Sequence, residues 1–193
     1  FVSTVGSSGQ LRFTLLHEPS HDALRQFLPE RVLRDEALDD VLRRHACPGR
    51  FYHDHRHVLR AFERAQDYSL FLTPEQCMAL LFQRASFLPG APDEVCARLS
   101  CAVLSEACGS MDFFDLSAAC RLIEEACVLK PTSRDAAVLC DLNQAVLAEE
   151  ATEFCAADEL LWLENRHLLD RTNPRKDFDT RRLKFLLSRA ESG

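Results

Sequence analysis

The chain has 193 residues, of which 47% are hydrophobic, and its formal net charge is −7. This length and apolar content suit one folded domain with a substantial core and exclude a disordered chain. The acidic balance argues against a general nucleic-acid or membrane-surface binder, and no apolar run reaches the roughly 20 residues that a membrane span needs.

The nine cysteines do not form a metal or disulfide pattern, because their number is odd and no CxxC pair occurs. Cys101 and Cys108, like Cys120 and Cys127, are separated by seven residues in apolar helical stretches, where cysteine behaves as a small buried hydrophobe. We therefore expect an intracellular, reducing compartment. The chain begins with Phe1, and removal of an organellar targeting peptide would explain that start, which is consistent with the mitochondrial matrix.

Two regions differ in their hydrophobic pattern. Residues 1–19 carry Gly, Ser and scattered apolar positions, which predicts an extended N-terminal arm. In residues 20–193 apolar side chains recur at three- and four-residue spacing, which is typical of helices, and no segment alternates convincingly with period two. The sequence therefore predicts an all-α fold, with one helical domain preceded by the arm.

Proline, glycine and capping residues mark the predicted helix boundaries. Pro29 separates two short helices that end before Cys47-Pro48-Gly49, and a third helix is expected from about His53 to Tyr68. Thr73-Pro74-Glu75-Gln76 has the form of a capping box with proline in the first turn. Later helices are predicted at about 93–108, 115–129, from 133, 152–169 and 178–189, with breaks at Gly109 and Pro131.

Four segments in the same order along the chain carry a resemblance to a known family. They are CPGRFYHDHRH at 47–57, FQRASFLPGAPD at 82–93, DAAVLCDLNQAVL at 135–147, and late helices with Glu164, His167, Phe178, Arg181 and Leu183. Over roughly residues 38–189 this set resembles the predicted metal-dependent phosphohydrolases of the HD (His-Asp) superfamily. The resemblance implies an HD-domain-like helical bundle for residues 20–193.

In that family a His, a His-Asp pair and a distant Asp hold divalent cations, which activate water and clamp a phosphoryl oxygen. The resemblance assigns the first ligand to His57, whereas Gln83-Arg84 replaces the His-Asp pair and Asn143 replaces the distant Asp. Arg84 has no lone pair for a metal, and its charge repels a cation in a poorly solvated pocket. We therefore expect a vestigial site with no metal or other cofactor, and hence a pseudoenzyme.

The resemblance also leads to expectations for the neighbouring side chains. Arg84 is expected to form a structural ion pair with Asp141 or Asp54. His53 is expected to make a structural contact in a turn. His55 is expected to point away from the site into solvent.

Two alternatives use the same residues for other functions. His53 and His57, four residues apart on one helical face, would join Asp54 or Asp141 in the rearranged metal site of a phosphohydrolase. Arg84 with Gln83, His57 and Asn143 would instead form the anion- or nucleotide-binding pocket of a sensor, because guanidinium groups bind phosphate in a bidentate manner.

Three features suggest a role within a larger assembly. The arm has too few apolar residues to fold alone, the helix around Trp162 is apolar beyond one face, and Arg181 and Arg182 belong to a basic stretch that suits an acidic partner. A core position for Trp162 and a solvated basic face are the alternatives. We predict a structural or interaction subunit whose partners are other protein subunits, in a protein or ribonucleoprotein complex. RNA is not specifically indicated, because aromatic residues do not interleave the basic stretch.

Overall fold

A computed structural model describes residues 2–5, 11–14, 21–29, 33–108 and 114–192. This part of the chain folds mainly into α-helices, and the all-α class predicted from periodicity is confirmed. None of the described helices is long and apolar enough to cross a membrane. The helices are α1 His21–Arg25, α2 Asp35–His45, α3 His55–Asp67, α4 Pro74–Phe82, α5 Asp93–Cys108, α6 Leu116–Val128, α7 Arg134–Gln144, α8 Ala151–Asn165 and α9 Pro174–Ser192.

The N-terminal arm contains two short strands, β1 Val2–Val5 and β2 Leu11–Thr14. They pair antiparallel, with Val2 opposite Thr14 and Val5 opposite Leu11. The sequence predicted extended backbone in this region but not the pairing of the two strands with each other. The predicted helix break at Gly109 lies outside the described residues.

Side-chain caps determine where several helices begin. The Asp54 carboxylate accepts hydrogen bonds from the backbone N–H groups of Arg56 and His57, so α3 begins at His55 and not at His53 as predicted. At α4 the predicted capping box is present, because Thr73 Oγ1 accepts from Gln76 N–H and the Gln76 side chain accepts from Thr73 N–H.

Helix α4 forms the centre of the hydrophobic core. Every residue from 76 to 82 is buried, and the helix packs against α3, α5, α6 and α7. Met78, Leu81 and Phe82 share one face of this helix, as their three- and four-residue spacing requires. The surrounding helices bury the remaining faces as well, as the nearly continuous apolar sequence allows.

Helices α8 and α9 form a hairpin that is attached to the core by few buried residues. Ala157 and Glu164 are buried in α8, and Phe178 is buried in α9. The ring of Trp162 packs edge-on against Phe178 at a centroid distance of 5.7 Å. The hairpin therefore lies against the core through a narrow contact, and a cavity remains beside it.

All nine cysteines are free thiols. Cys101 and Cys120 are partly buried on the facing helices α5 and α6, whereas Cys47 and Cys155 are exposed. Burial raises the pKa of several of these thiols, to about 11 for Cys108, Cys77 and Cys140. These three thiols are thus protonated at neutral pH, as expected of small apolar core side chains. The five fully buried cysteines are Cys77, Cys96, Cys108, Cys127 and Cys140.

The capping box of α4 provides a direct test of this fold. We expect Thr73→Ala to lower the free energy of unfolding by about 1 kcal/mol, because the backbone N–H of Gln76 loses its hydroxyl acceptor. Thr73→Ser keeps the hydroxyl and should change stability little. Chemical denaturation of the two variants measures the difference, and equal losses would contradict the cap.

Candidate functional site

A cavity of about 530 Å³ lies between the helical core and the α8–α9 hairpin. Four sequence-predicted residues, His57, Gln83, Arg84 and Asn143, line it together although they come from different parts of the chain. Arg181 and Arg182 of α9 also line it, whereas Trp162 does not. The structure thus brings the residues of the predicted vestigial site to one place and adds two arginines that had been assigned to a partner surface.

Gln83 and Asn143 form a reciprocal amide pair. Gln83 Nε2 donates to Asn143 Oδ1 at 2.6 Å, and Asn143 Nδ2 donates to Gln83 Oε1 at 2.7 Å. Gln83 is buried and follows the last residue of α4, and Asn143 lies near the end of α7. Because each amide satisfies the other, the pair joins α4 to α7 without any additional ligand.

Arg84 forms an ion pair, but not with either predicted partner. Its Nη1 lies 2.9 Å from Asp93 Oδ1, and its Nη2 donates to the carbonyl of Cys127 at 3.4 Å. Asp141 is exposed on α7, and Asp54 is bonded to Arg56 through a 2.6 Å hydrogen bond. The expected Arg84 pairing with Asp141 or Asp54 was therefore wrong, because a nearer acid lies at the start of α5.

The backbone of Arg84 is held in the left-handed region, with φ of 57°. Arg50 stabilises this turn, because its Nη1 donates to the carbonyl of Arg84 at 2.6 Å and its Nη2 donates to the carbonyl of Ala85 at 3.2 Å. A non-glycine residue in this region is strained, so these two hydrogen bonds fix an otherwise unfavourable turn. Arg50 belongs to the segment at 47–57 that carries the resemblance, and its support of this turn was not predicted from the sequence.

His45 extends the same network and is neutral. Its Nε2 lies 2.9 Å from the carbonyl of Leu81 and must donate there, which leaves Nδ1 to accept from Arg50 Nη1 at 3.3 Å. Burial lowers the pKa of His45 to about 4, against the effect of the hydrogen bond to Leu81. This role could not be predicted from the sequence, because a single histidine at the end of a helix is compatible with many different contacts.

Glu164 is a buried carboxylate that receives four hydrogen bonds. Oε2 accepts from the backbone N–H groups of Phe51, Tyr52 and His53 at 3.0–3.1 Å, and Oε1 accepts from His53 Nδ1 at 2.5 Å. Burial alone would raise the pKa of Glu164, but the hydrogen bonds and charge of His53, with the backbone donors, lower it to about 2. His53 thus makes the structural contact expected of it.

His57 lies beside aromatic rings in the wall of the cavity. Its ring lies 4.9 Å from the Tyr52 ring and 5.5 Å from the His53 ring, measured between centroids. Within the described residues neither of its ring nitrogens has a hydrogen-bond partner. Burial, together with the nearby charges of His53 and Arg84, lowers its pKa well below the usual value. His57 therefore presents a neutral imidazole to the cavity.

The described side chains do not form a cluster of metal ligands. Among residues 21–29, 33–108 and 114–191 no group of three His, Cys, Asp or Glu side chains is arranged to hold a metal ion. His53 is committed to Glu164, and Asp54 caps α3. His55, which was expected to be solvated, is partly buried at the start of α3.

The two arginines of α9 that were predicted to contact a partner pair with acids of the same hairpin. Arg181 pairs with Asp177 at 2.9 Å, and Arg182 pairs with Asp158 at 2.6 Å. Trp162 of α8 is partly buried against Phe178, and the guanidinium of Arg175 in α9 lies over its ring. These residues are therefore occupied within the chain, which leaves less of them for the partner contacts predicted from sequence.

Comparisons of the chain with protein-family models, with curated proteins and with solved structures found no match. The resemblance to the HD superfamily therefore remains a prediction from the residues quoted above.

The low pKa of Glu164 predicts how stability depends on pH. Folding favours the ionised carboxylate, so its contribution is complete above its ordinary pKa of 4.5 and is lost as pH falls towards about 2. We expect Glu164→Gln to lower the free energy of unfolding at pH 7 by on the order of 3 kcal/mol and to remove that acid-side dependence.

Urea denaturation between neutral pH and the acid limit of solubility measures both effects. Glu153→Gln is the matched control, because Glu153 is exposed on the same helix. Equal stability curves for the two variants would show that the buried carboxylate has no special contribution.

Proposed function

We propose that this chain is a catalytically inactive, HD-domain-like helical protein that serves as a structural or interaction subunit of a larger complex in an organelle, with the mitochondrial matrix as its location. The observation that best supports this proposal is the amide pair of Gln83 and Asn143 beside the Arg84–Asp93 ion pair. At the positions where the resemblance implies metal ligands, the side chains satisfy one another.

The chemistry of these groups is unfavourable for a divalent cation. Carboxylates and imidazoles are the usual ligands, whereas each amide oxygen here already accepts a short hydrogen bond. Arg84 adds a permanent positive charge to the same cavity wall. His57 remains as one potential ligand, and one imidazole alone does not retain a metal.

The alternative of a rearranged phosphohydrolase site has weaker support. It needs His53 and His57 with Asp54 or Asp141, yet His53 is bonded to Glu164 and Asp54 to Arg56. Asp141 is exposed on α7 and does not line the cavity. These contacts leave His57 without an uncommitted partner from this set to hold a water-activating metal.

An exposed apolar loop supports the role in an assembly. The loop joins α3 to α4 and carries Tyr68, Leu70 and Phe71, with exposed fractions of 60%, 40% and 99%. A phenylalanine exposed to this extent, next to two other large apolar side chains, is unfavourable in water and is typical of a surface that contacts another protein. We call residues 68–71 the Phe71 loop.

If substitutions have removed the metal ligands, restoring those ligands should create metal binding. The purified protein should contain no stoichiometric transition metal and should not hydrolyse phosphate esters above background with any divalent metal added. Gln83→His, Arg84→Asp and Asn143→Asp together should create measurable metal affinity, because three donors would then join His57. Elemental analysis and metal titration measure the change, with the triple variant carrying His57→Ala as the control.

About one metal per wild-type chain, or hydrolysis that His57→Ala abolishes, would contradict the inactive state. A folded triple variant that binds no metal would contradict the assignment of the ligand positions.

The assembly role predicts a size change in native extracts. We expect the endogenous protein to migrate in a stable complex well above its own 21.9 kDa. Phe71→Asp should release it as a folded monomer, because a charge at the loop cannot be buried against a partner. Leu99→Asp is the control, since Leu99 is an exposed apolar residue of α5, remote in sequence from the loop.

Native sizing of tagged variants and circular dichroism of the purified proteins give the two measurements. A wild-type protein found only as free monomer would refute the assembly role. Substitution of Arg182 is a poorer test, because that arginine is bonded to Asp158 within the hairpin and its loss would disturb the fold.

A further inference from the structure

The cavity beside the α8–α9 hairpin has an excess of positive charge. Four arginines and two aspartates line it, in a chain whose formal net charge is −7. Of the three lining histidines, His45 is buried and His53 and His57 are partly buried, and the pKa of each is lowered. They are neutral near pH 7, so the arginines and aspartates determine the charge of the cavity.

Three of the four arginines already have a carboxylate partner. Arg84 pairs with Asp93, Arg181 with Asp177 and Arg182 with Asp158. These pairs leave little unsatisfied charge at their positions.

Arg189 differs from the other three. No carboxylate of the described residues lies within ion-pair distance of it, and its Nε is buried without a hydrogen-bond partner. Its guanidinium lies 5.4 Å from the centroid of the Phe185 ring. A permanently charged group with a buried, unsatisfied donor is stabilised by an acceptor that carries negative charge.

The rest of the cavity wall is mainly apolar. Phe178 and Phe185 of α9 face the cavity together with leucines from four other segments, Leu129, Leu147, Leu161 and Leu168. A volume of about 530 Å³ lies in the range of pockets that hold organic molecules. An inorganic anion would leave most of this surface uncovered.

From the unpaired cation and the apolar wall we infer that the cavity binds an organic anion. Its acidic group, a carboxylate or a phosphate, accepts hydrogen bonds from Arg189, and its apolar body lies against Phe178 and Phe185. This site differs from the anion pocket expected at Arg84 and Asn143, because both of those residues are already bonded within the chain. The inference is independent of the proposed assembly role and of the HD resemblance.

Isothermal titration calorimetry of the purified chain with four probes tests the inference. Octanoate and octyl phosphate carry an acidic group on an apolar body, 1-octanol lacks the charge, and inorganic phosphate lacks the apolar body. We expect both amphiphilic anions to bind at least about tenfold more tightly than either of the other probes. The tighter of the two anions identifies the acidic group that the site prefers.

Two variants separate the site from general surface attraction. Arg189→Gln should weaken octanoate binding about tenfold or more, whereas Lys184→Gln, which removes the same charge from an exposed position of α9, should not. Leu147→Trp keeps every charge but fills part of the cavity, so it should also abolish binding. Circular dichroism establishes that each variant is folded.

Absence of binding by both anions would overturn the inference, as would equal affinity for octanoate and 1-octanol. Equal losses in Arg189→Gln and Lys184→Gln, or full binding by Leu147→Trp, would also overturn it. Each of these results leaves the metal content and the native size of the protein unaffected, so failure here is distinguishable from failure of the proposed function.

Discussion

The buried carboxylate of Glu164 is the constraint on which the site depends. A charge without solvent is tolerated only when it is fully hydrogen-bonded, and here three consecutive backbone N–H groups and His53 supply the bonds. These contacts fix the turn that precedes α3 against α8. They therefore determine both the direction of His53 and the position of the hairpin that closes one side of the cavity.

A second network, centred on Arg50, holds the opposite wall. Its guanidinium donates to the carbonyls of Arg84 and Ala85 and contacts His45, so it joins the segment before α3 to the turn after α4. Arginine and carboxylate side chains thus connect these segments directly.

The sequence predicted the helices well because their boundaries depend on local chemistry. The capping box at Thr73 needs only neighbouring residues, and it occurs as predicted. The partner of Arg84 could not be predicted in the same way, because Asp93 approaches it only after the intervening loop has turned back. Similarly, the sequence indicated Glu164 only as one residue of the resemblance, because its contacts with residues 51–53 depend on packing between distant helices.

Seven of the nine cysteines are either clearly exposed to solvent or clearly buried. Cys47 and Cys155 meet solvent directly, whereas five others are enclosed in the core, and burial raises the pKa of Cys77, Cys108 and Cys140 to about 11. Alkylation requires an accessible thiolate, so the enclosed class reacts only when its helices separate. The enclosed cysteines thus report on local opening. The rate at which each one is alkylated measures how often the surrounding part of the core opens.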